Sequence, residues 1–107
     1  MTSRARIPLP LTVPRHAHGI LGPITVRRPP KVTLYGAACL GSYLIPERRI
    51  DIERGLEPGA AIRTFYHELA HSWLHDSGID TSGEWAESVC DAVALGMFAY
   101  LHRKGLA

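Results

Sequence analysis

His67-Glu68-Leu69-Ala70-His71 is an H-E-x-x-H pentapeptide. On a helix, residues four apart lie on one face about one turn apart. Two imidazoles at that spacing can reach one tetrahedral Zn²⁺ together. The Glu that follows the first His projects beside the metal, where it can take a proton from a metal-activated water. The ordinary alternative is a pair of histidines on a helix surface, so the reading depends on the residues C-terminal to the motif.

Two imidazoles leave a zinc site unfinished, because a catalytic site has three protein ligands and an open position for water. Glu87 and Asp91 are also four apart, and Glu84 lies one turn earlier on the same side. Joined to the first helix by a short loop, a second helix can fold back antiparallel and present Glu87 to His67 and His71. Asp91 would then accept a hydrogen bond from the metal-free nitrogen of a ligand His, which fixes its tautomer and raises its basicity. Glu84 is the rival third ligand, but its position three residues after Thr81 gives it another role in a capping box.

Other chemistry-bearing residues are read more plainly. His75 extends the row to His67, His71, His75, but one straight helix does not bend three successive turns around one ion, so a packed or solvent-facing role is favoured. His16 and His18 form H-x-H in the lead-in and are expected at the surface. Trp73 and Trp85 read as core. Cys90 reads as a small buried hydrophobe with no base beside it.

His67-Glu68-x-x-His71 followed by Glu87-x-x-x-Asp91 resembles the gluzincin pattern of thermolysin-like peptidases. The compact form, with strands immediately before the motif, is most similar to small bacterial and phage zincins of the ImmA/IrrE type. The resemblance spans roughly residues 24 to 100, with its specific part at these five positions. It implies a zincin-like minimal domain, with a small N-terminal sheet packed on the H-E-x-x-H helix and a following ligand-bearing helix. It also implies one Zn²⁺ held by His67, His71 and Glu87, with Glu68 as general base and Asp91 behind a ligand. The substrate would be a peptide or protein, paired by β-augmentation along a strand such as Arg49–Glu53. The chain has no counterpart of the downstream Tyr or His that stabilises the tetrahedral intermediate in that family. A different class of function, a zinc-stabilised binding or regulatory module with little catalysis, is therefore kept beside the peptidase.

These residues need elements to position them. Ile62, Phe65, Tyr66, Leu69, Ala70, Trp73 and Leu74 recur at three- and four-residue spacings, which predicts a helix from about Ala60 that stops near Asp76-Ser77-Gly78, with Gly78 as its cap. A second helix is expected from Thr81, as N-cap, to about His102, with Trp85, Val89, Ala92, Val93, Met97 and Tyr100 as its apolar side. Arg103 and Lys104 suit its negative end. Before the helices, Ile24–Val26 and Val32–Tyr35 read as two strands joined by a turn at Arg27-Arg28-Pro29-Pro30. Gly36–Gly41 reads as a loop, and Ser42–Ile45 and Arg49–Glu53 as further strands. Strands first and helices after give an α+β domain over residues 23–107. Residues 1–22, with Pro8, Pro10 and Pro14, read as an extended or irregular lead-in.

At 107 residues the chain has room for one core and no second lobe. A hydrophobic share of 46% and a charged share of 21% fit a globular protein rather than a disordered one. The net charge of +2 argues against nucleic acid as the main partner, and no nucleic-acid motif accompanies it. Charge is uneven, however. Arg4, Arg6, Arg15, Arg27, Arg28 and Lys31 all precede Glu47, the first of the ten acids. The basic start reads as a solvated arm rather than a docking element. No stretch is long enough for a membrane span. Cys39 and Cys90 make no C-x-x-C pair and no disulfide framework, so a cytoplasmic protein with reduced thiols is expected.

Overall fold

The computed structural model describes residues 9–102. They form a small α+β domain of six strands in two sheets and two helices. In chain order these are β1 (His16–His18), β2 (Pro23–Arg27), β3 (Val32–Leu34), β4 (Ala37–Cys39), β5 (Gly41–Leu44), β6 (Arg49–Ile52), α1 (Pro58–Asp76) and α2 (Glu84–Leu101). No helix among the described residues is long and apolar enough to cross a membrane.

Alternation builds the main sheet. Ile24 and Val26 of β2 and Ile50 and Ile52 of β6 point inward, while their neighbours face outward or half outward. The strand order is β1-β2-β6-β5, with β2 and β6 parallel and the outer pairs antiparallel. Ile62, Phe65, Tyr66 and Leu69 of α1 cover this apolar face, joined by Ala94 and Phe98 of α2. The edge strand β5 therefore runs beside α1.

From residue 9 onward the lead-in is largely irregular, as its sequence suggests, but part of it is paired. β1 adds to β2 with Ala17 inward and His16 and His18 outward, and Leu11 and Val13 pack on the core. Three residues are too few for a period of two to stand out between prolines. Leu9 N–H donates to the Leu101 carbonyl at 2.9 Å, and His102 Nδ1–H donates to the Leu9 carbonyl at 2.7 Å. Tyr66 O–H donates to His102 Nε2 at 2.6 Å, so both nitrogens of this buried ring are satisfied. Arg4, Arg6, Arg103 and Lys104 lie outside the described residues.

β2 and β3 do not form the hairpin that their separation by a turn suggests. Arg28 donates to the carbonyls of Ile52, Glu53 and Arg54 at 3.0–3.2 Å, which steers the chain off the sheet. β3 instead pairs with β4, in the stretch whose sequence reads as a loop. Its turn is Tyr35-Gly36, with φ of 52° and 80°. Both values are positive, as a two-residue type I′ hairpin requires. Tyr at the first position disguises it, since Asn or Asp is the usual signal there.

α1 starts with Pro58 in its first turn, where the missing N–H costs nothing. It ends in a Schellman motif: Gly78 N–H donates to the His75 carbonyl and Ile79 N–H to that of Leu74, both at 3.0 Å. Gly78 has the required positive φ of 79°. The helix end is pinned by Arg48, whose guanidinium meets Asp76 in a two-pronged pair with both contacts at 3.0 Å.

α2 departs from expectation in two ways. Thr81 is not its N-cap; Gly83 occupies that position, with no side-chain cap bond, and Glu84 is the first helical residue rather than the third. Asp80 accepts from the Ser82 N–H and hydroxyl instead, at 2.9 and 2.8 Å, in a local turn that displaces the capping box. The buried face is Ala86, Cys90, Ala94 and Phe98 rather than Trp85, Val89 and Tyr100, which are exposed. Apart from Phe98, small side chains carry that face, so Trp85 and Tyr100 mark the wrong side. Trp73, in contrast, packs partly against the core, and its indole donates to the His18 carbonyl at 3.3 Å.

Candidate metal centre

α1 aligns Ala60, Thr64, His67, His71 and His75 along one face, and all five line a cleft of about 640 Å³. The opposite wall is β5 with the β3–β4 hairpin, and Glu87, Asp91, Ala94 and Leu95 of α2 complete it. β5 can lie this close to α1 because position 41 is Gly. A Cβ there would stand 2.6 Å from Thr64 Cγ2 and 3.0 Å from Ile52 Cδ1.

In the middle of the cleft His67, His71 and Glu87 converge, with one donor atom from each lying within 4.8 Å of the others. Glu87 Oε2 is 2.8 Å from His67 Nε2, Glu87 Oε1 is 3.3 Å from His71 Nε2, and the two Nε2 atoms are 3.1 Å apart. On the far side of the ring, His67 Nδ1 meets Asp91 Oδ1 at 2.7 Å. The histidine side chains retain only 16% and 15% of their exposure, while Glu87 retains 61%, so the group opens to solvent on the α2 side.

The donor set fits a divalent cation. If His67 Nδ1–H donates to Asp91, the Nε2 lone pair of the neutral ring faces a carboxylate oxygen of Glu87 and the second imidazole. Lone pairs gathered this closely repel unless a proton or a metal ion lies among them. Tetrahedral zinc with Zn–N of about 2.0–2.1 Å sets its nitrogens roughly 3.3 Å apart, close to the observed spacing. A His/His/carboxylate set also admits related divalent ions.

Comparison with protein-family models, curated proteins and solved structures finds no match. The geometry of the centre therefore carries the functional reading alone.

Glu68, between the two histidines in sequence, is buried at 8% exposure and also lines the cleft. Burial pushes its carboxyl up to about 7, against the pull of His67 and with added push from the carboxylates of Glu87 and Asp91. Glu84 is exposed at the start of α2 and stands outside the converging group, as does His75. Cys90 is fully buried, and its thiol is raised to about 11, first by burial and then by nearby carboxylates. It is no nucleophile at neutral pH.

One expectation needs correction. Arg49–Ile52 cannot pair an extended substrate, because β6 is interior and already bonded to β2 and β5. The edge strand at the cleft is β5, which a parallel β2–β6 pair pushes outward. The cleft wall also includes Arg63, Thr64 and Tyr43, which the sequence alone does not single out. Arg63 and Thr64 were recoverable from their spacing of four and three residues before His67. Tyr43 needed the tertiary fold.

Proposed function

We propose that this protein is a zinc-dependent peptidase with a compact zincin-like architecture, related in plan to the gluzincins. The observation that carries the reading is the convergence of His67, His71 and Glu87 beside the buried carboxyl of Glu68, in a cleft bordered by an unpaired strand edge. A bound divalent ion would supply Lewis-acid polarisation of a carbonyl and a water of lowered pKa.

The chain's own residues supply the rest. His67, His71 and Glu87 hold the ion, and Asp91 holds His67 in the tautomer that leaves Nε2 free to ligate. Glu68, placed beside the histidines with its carboxyl raised by burial, takes a proton at its carboxylate as water attacks the peptide carbonyl. It then gives that proton to the departing amine nitrogen. β5 offers backbone groups along the cleft to an extended peptide, so the substrate would add as a further strand. Leu34 and Cys39 of the β3–β4 hairpin and Leu95 of α2 add apolar surface to the cleft wall.

Elemental analysis and peptide cleavage by the purified protein and its Glu68→Gln variant test this. The expected result is about one zinc per chain in both, with cleavage lost in the variant. Full cleavage by Glu68→Gln removes Glu68 as the base. Zinc binding with no cleavage by the parent favours the module that uses its metal structurally, for which His67→Ala should unfold the protein or abolish partner binding.

A further inference from the structure

Arg63 lies one turn before His67 on the cleft face of α1 and contributes to the cleft wall. Its guanidinium is held in place: Nε–H donates to the Gly59 carbonyl at 3.2 Å, and Cζ sits 5.4 Å from the centroid of the Phe98 ring. Both contacts leave the two terminal nitrogens unused. The cleft holds three acids, Glu68, Glu87 and Asp91, yet none pairs with Arg63. The arginine ion pairs among the described residues are Arg48 with Asp76 and Arg49 with Asp51.

We infer that the Arg63 guanidinium is the specificity-determining group of this cleft and takes a carboxylate of the peptide substrate. The inference rests on the peptidase reading and narrows its substrate class. Three arguments support it. A cation fixed by a ring and a carbonyl is pre-organised, so less rotamer entropy is lost when it engages an anion. The terminal N–H groups form the planar fork that matches a carboxylate in two-pronged geometry. Distance also suits a short peptide. Its guanidinium folds back to the Gly59 carbonyl, two helical turns and about 10–12 Å along α1 from His67, and an extended peptide advances roughly 3.3–3.6 Å per residue. The carboxylate therefore belongs about three residues from the scissile bond, towards the start of α1. Apolar Leu34, Leu40, Ile45 and Leu95 around the cleft favour aliphatic side chains on the same peptide.

A carboxylate can be the peptide's C-terminus or an Asp or Glu side chain, and binding measurements separate them. The protein is zinc-loaded Glu68→Gln, which holds peptide without cutting it. The probes are acetylated Leu-Leu-Ala-Leu as free acid, the same peptide as amide, and amidated versions with Asp at each position in turn. We expect one acidic form to bind about tenfold tighter than the neutral amide. Adding Arg63→Ala should collapse that ratio to about one, and Arg63→Lys should keep part of it. A gain confined to the free acid identifies the C-terminus; a gain with Asp in an amide identifies a side chain. Equal binding of every peptide, binding of none, or a preference that survives Arg63→Ala overturns the inference. The survival outcome includes a carboxylate that sits on the metal itself. Cleavage by the parent protein is scored separately. Arg63-dependent binding without cleavage sinks the peptidase reading alone, and cleavage indifferent to Arg63 sinks this inference alone.

Discussion

His67 Nδ1 lies 2.7 Å from Asp91 Oδ1, on the side of the imidazole that faces away from Glu87 and His71. One ring thus links the His67–His71–Glu87 group to a second acid on α2. Asp91→Ala should weaken zinc binding by about tenfold, the low end for such supporting contacts because the carboxylate is largely exposed. Asp91→Asn, which keeps an acceptor oxygen but not the charge, should lose less. Competition with a coloured chelator measures both, and Glu84→Ala is the matched control expected to change nothing. Wild-type affinity in Asp91→Ala would show that the contact does not tune the ligand.

Glu68 makes the metal-free protein pay for its site. Its carboxyl rises from an ordinary 4.5 to about 7 on folding, chiefly through burial. Between those values the folded state keeps a proton that the unfolded state has released. Stability of the metal-free protein therefore falls as pH rises through that window and stays reduced above it. Glu68→Gln carries no charge to bury. In chelator at pH 8 it should be more stable than the parent by about 2–3 kcal/mol, and at pH 4 the difference should close. Urea unfolding at the two pH values checks this; coincident curves at pH 8 contradict it.

α1 was legible because it buries large residues at helical spacing and stops at a glycine, and the pairing of His67 with His71 was legible because both share one face. Glu87 and Asp91 were legible for the same reason. The buried face of α2 was not. Three of its four buried residues, Ala86, Cys90 and Ala94, are small and carry little signal, while Trp85, Val89 and Tyr100 advertise a face that stays exposed. β1 and β4 have three residues each, too short for alternation to register. The cleft wall was illegible for a further reason: β5 is the edge strand because β6 inserts between it and β2, pairing with β2 in parallel, a relationship that no local pattern encodes. Spacing alone puts Arg63 on the cleft face, but its anchoring by the Gly59 carbonyl and the Phe98 ring appears only in the fold.

Arg48 and Asp76 join the β5–β6 turn to the end of α1, and Leu21 N–H adds a third bond to the same carboxylate at 3.1 Å. Arg48 holds the Asp76 carboxyl down at about 2, against the opposing effect of burial. A depressed folded value means stability that is present above the unfolded value, near 3.9, and is lost as pH falls towards about 2. Asp76→Asn should lower the melting temperature by several degrees at pH 7, with the gap to the parent shrinking between pH 4 and pH 2. Thermal unfolding across that range is the measurement. A gap that does not change with pH would assign the loss to packing rather than to the ion pair.

Gly41 offers the sharpest test of how the cleft is built. Its missing side chain lets β5 approach α1, and a Cβ there would meet Thr64 Cγ2 at 2.6 Å, Ile52 Cδ1 at 3.0 Å and the Asp51 carbonyl oxygen at 3.1 Å. Gly41→Ala should cost about 1–3 kcal/mol of stability, as overpacking does. Because β5 is the strand that would pair the peptide, cleavage should fall further than zinc affinity. Thr64→Ser removes the closest methyl and can keep the hydroxyl bond to the Ala60 carbonyl, made at 2.8 Å by Thr64. The double variant should therefore recover part of the stability and part of the cleavage, with the remainder set by Ile52 and the Asp51 backbone. Additive losses in the double-mutant cycle would mean that the two positions do not meet, and that some other contact sets the distance from strand to helix.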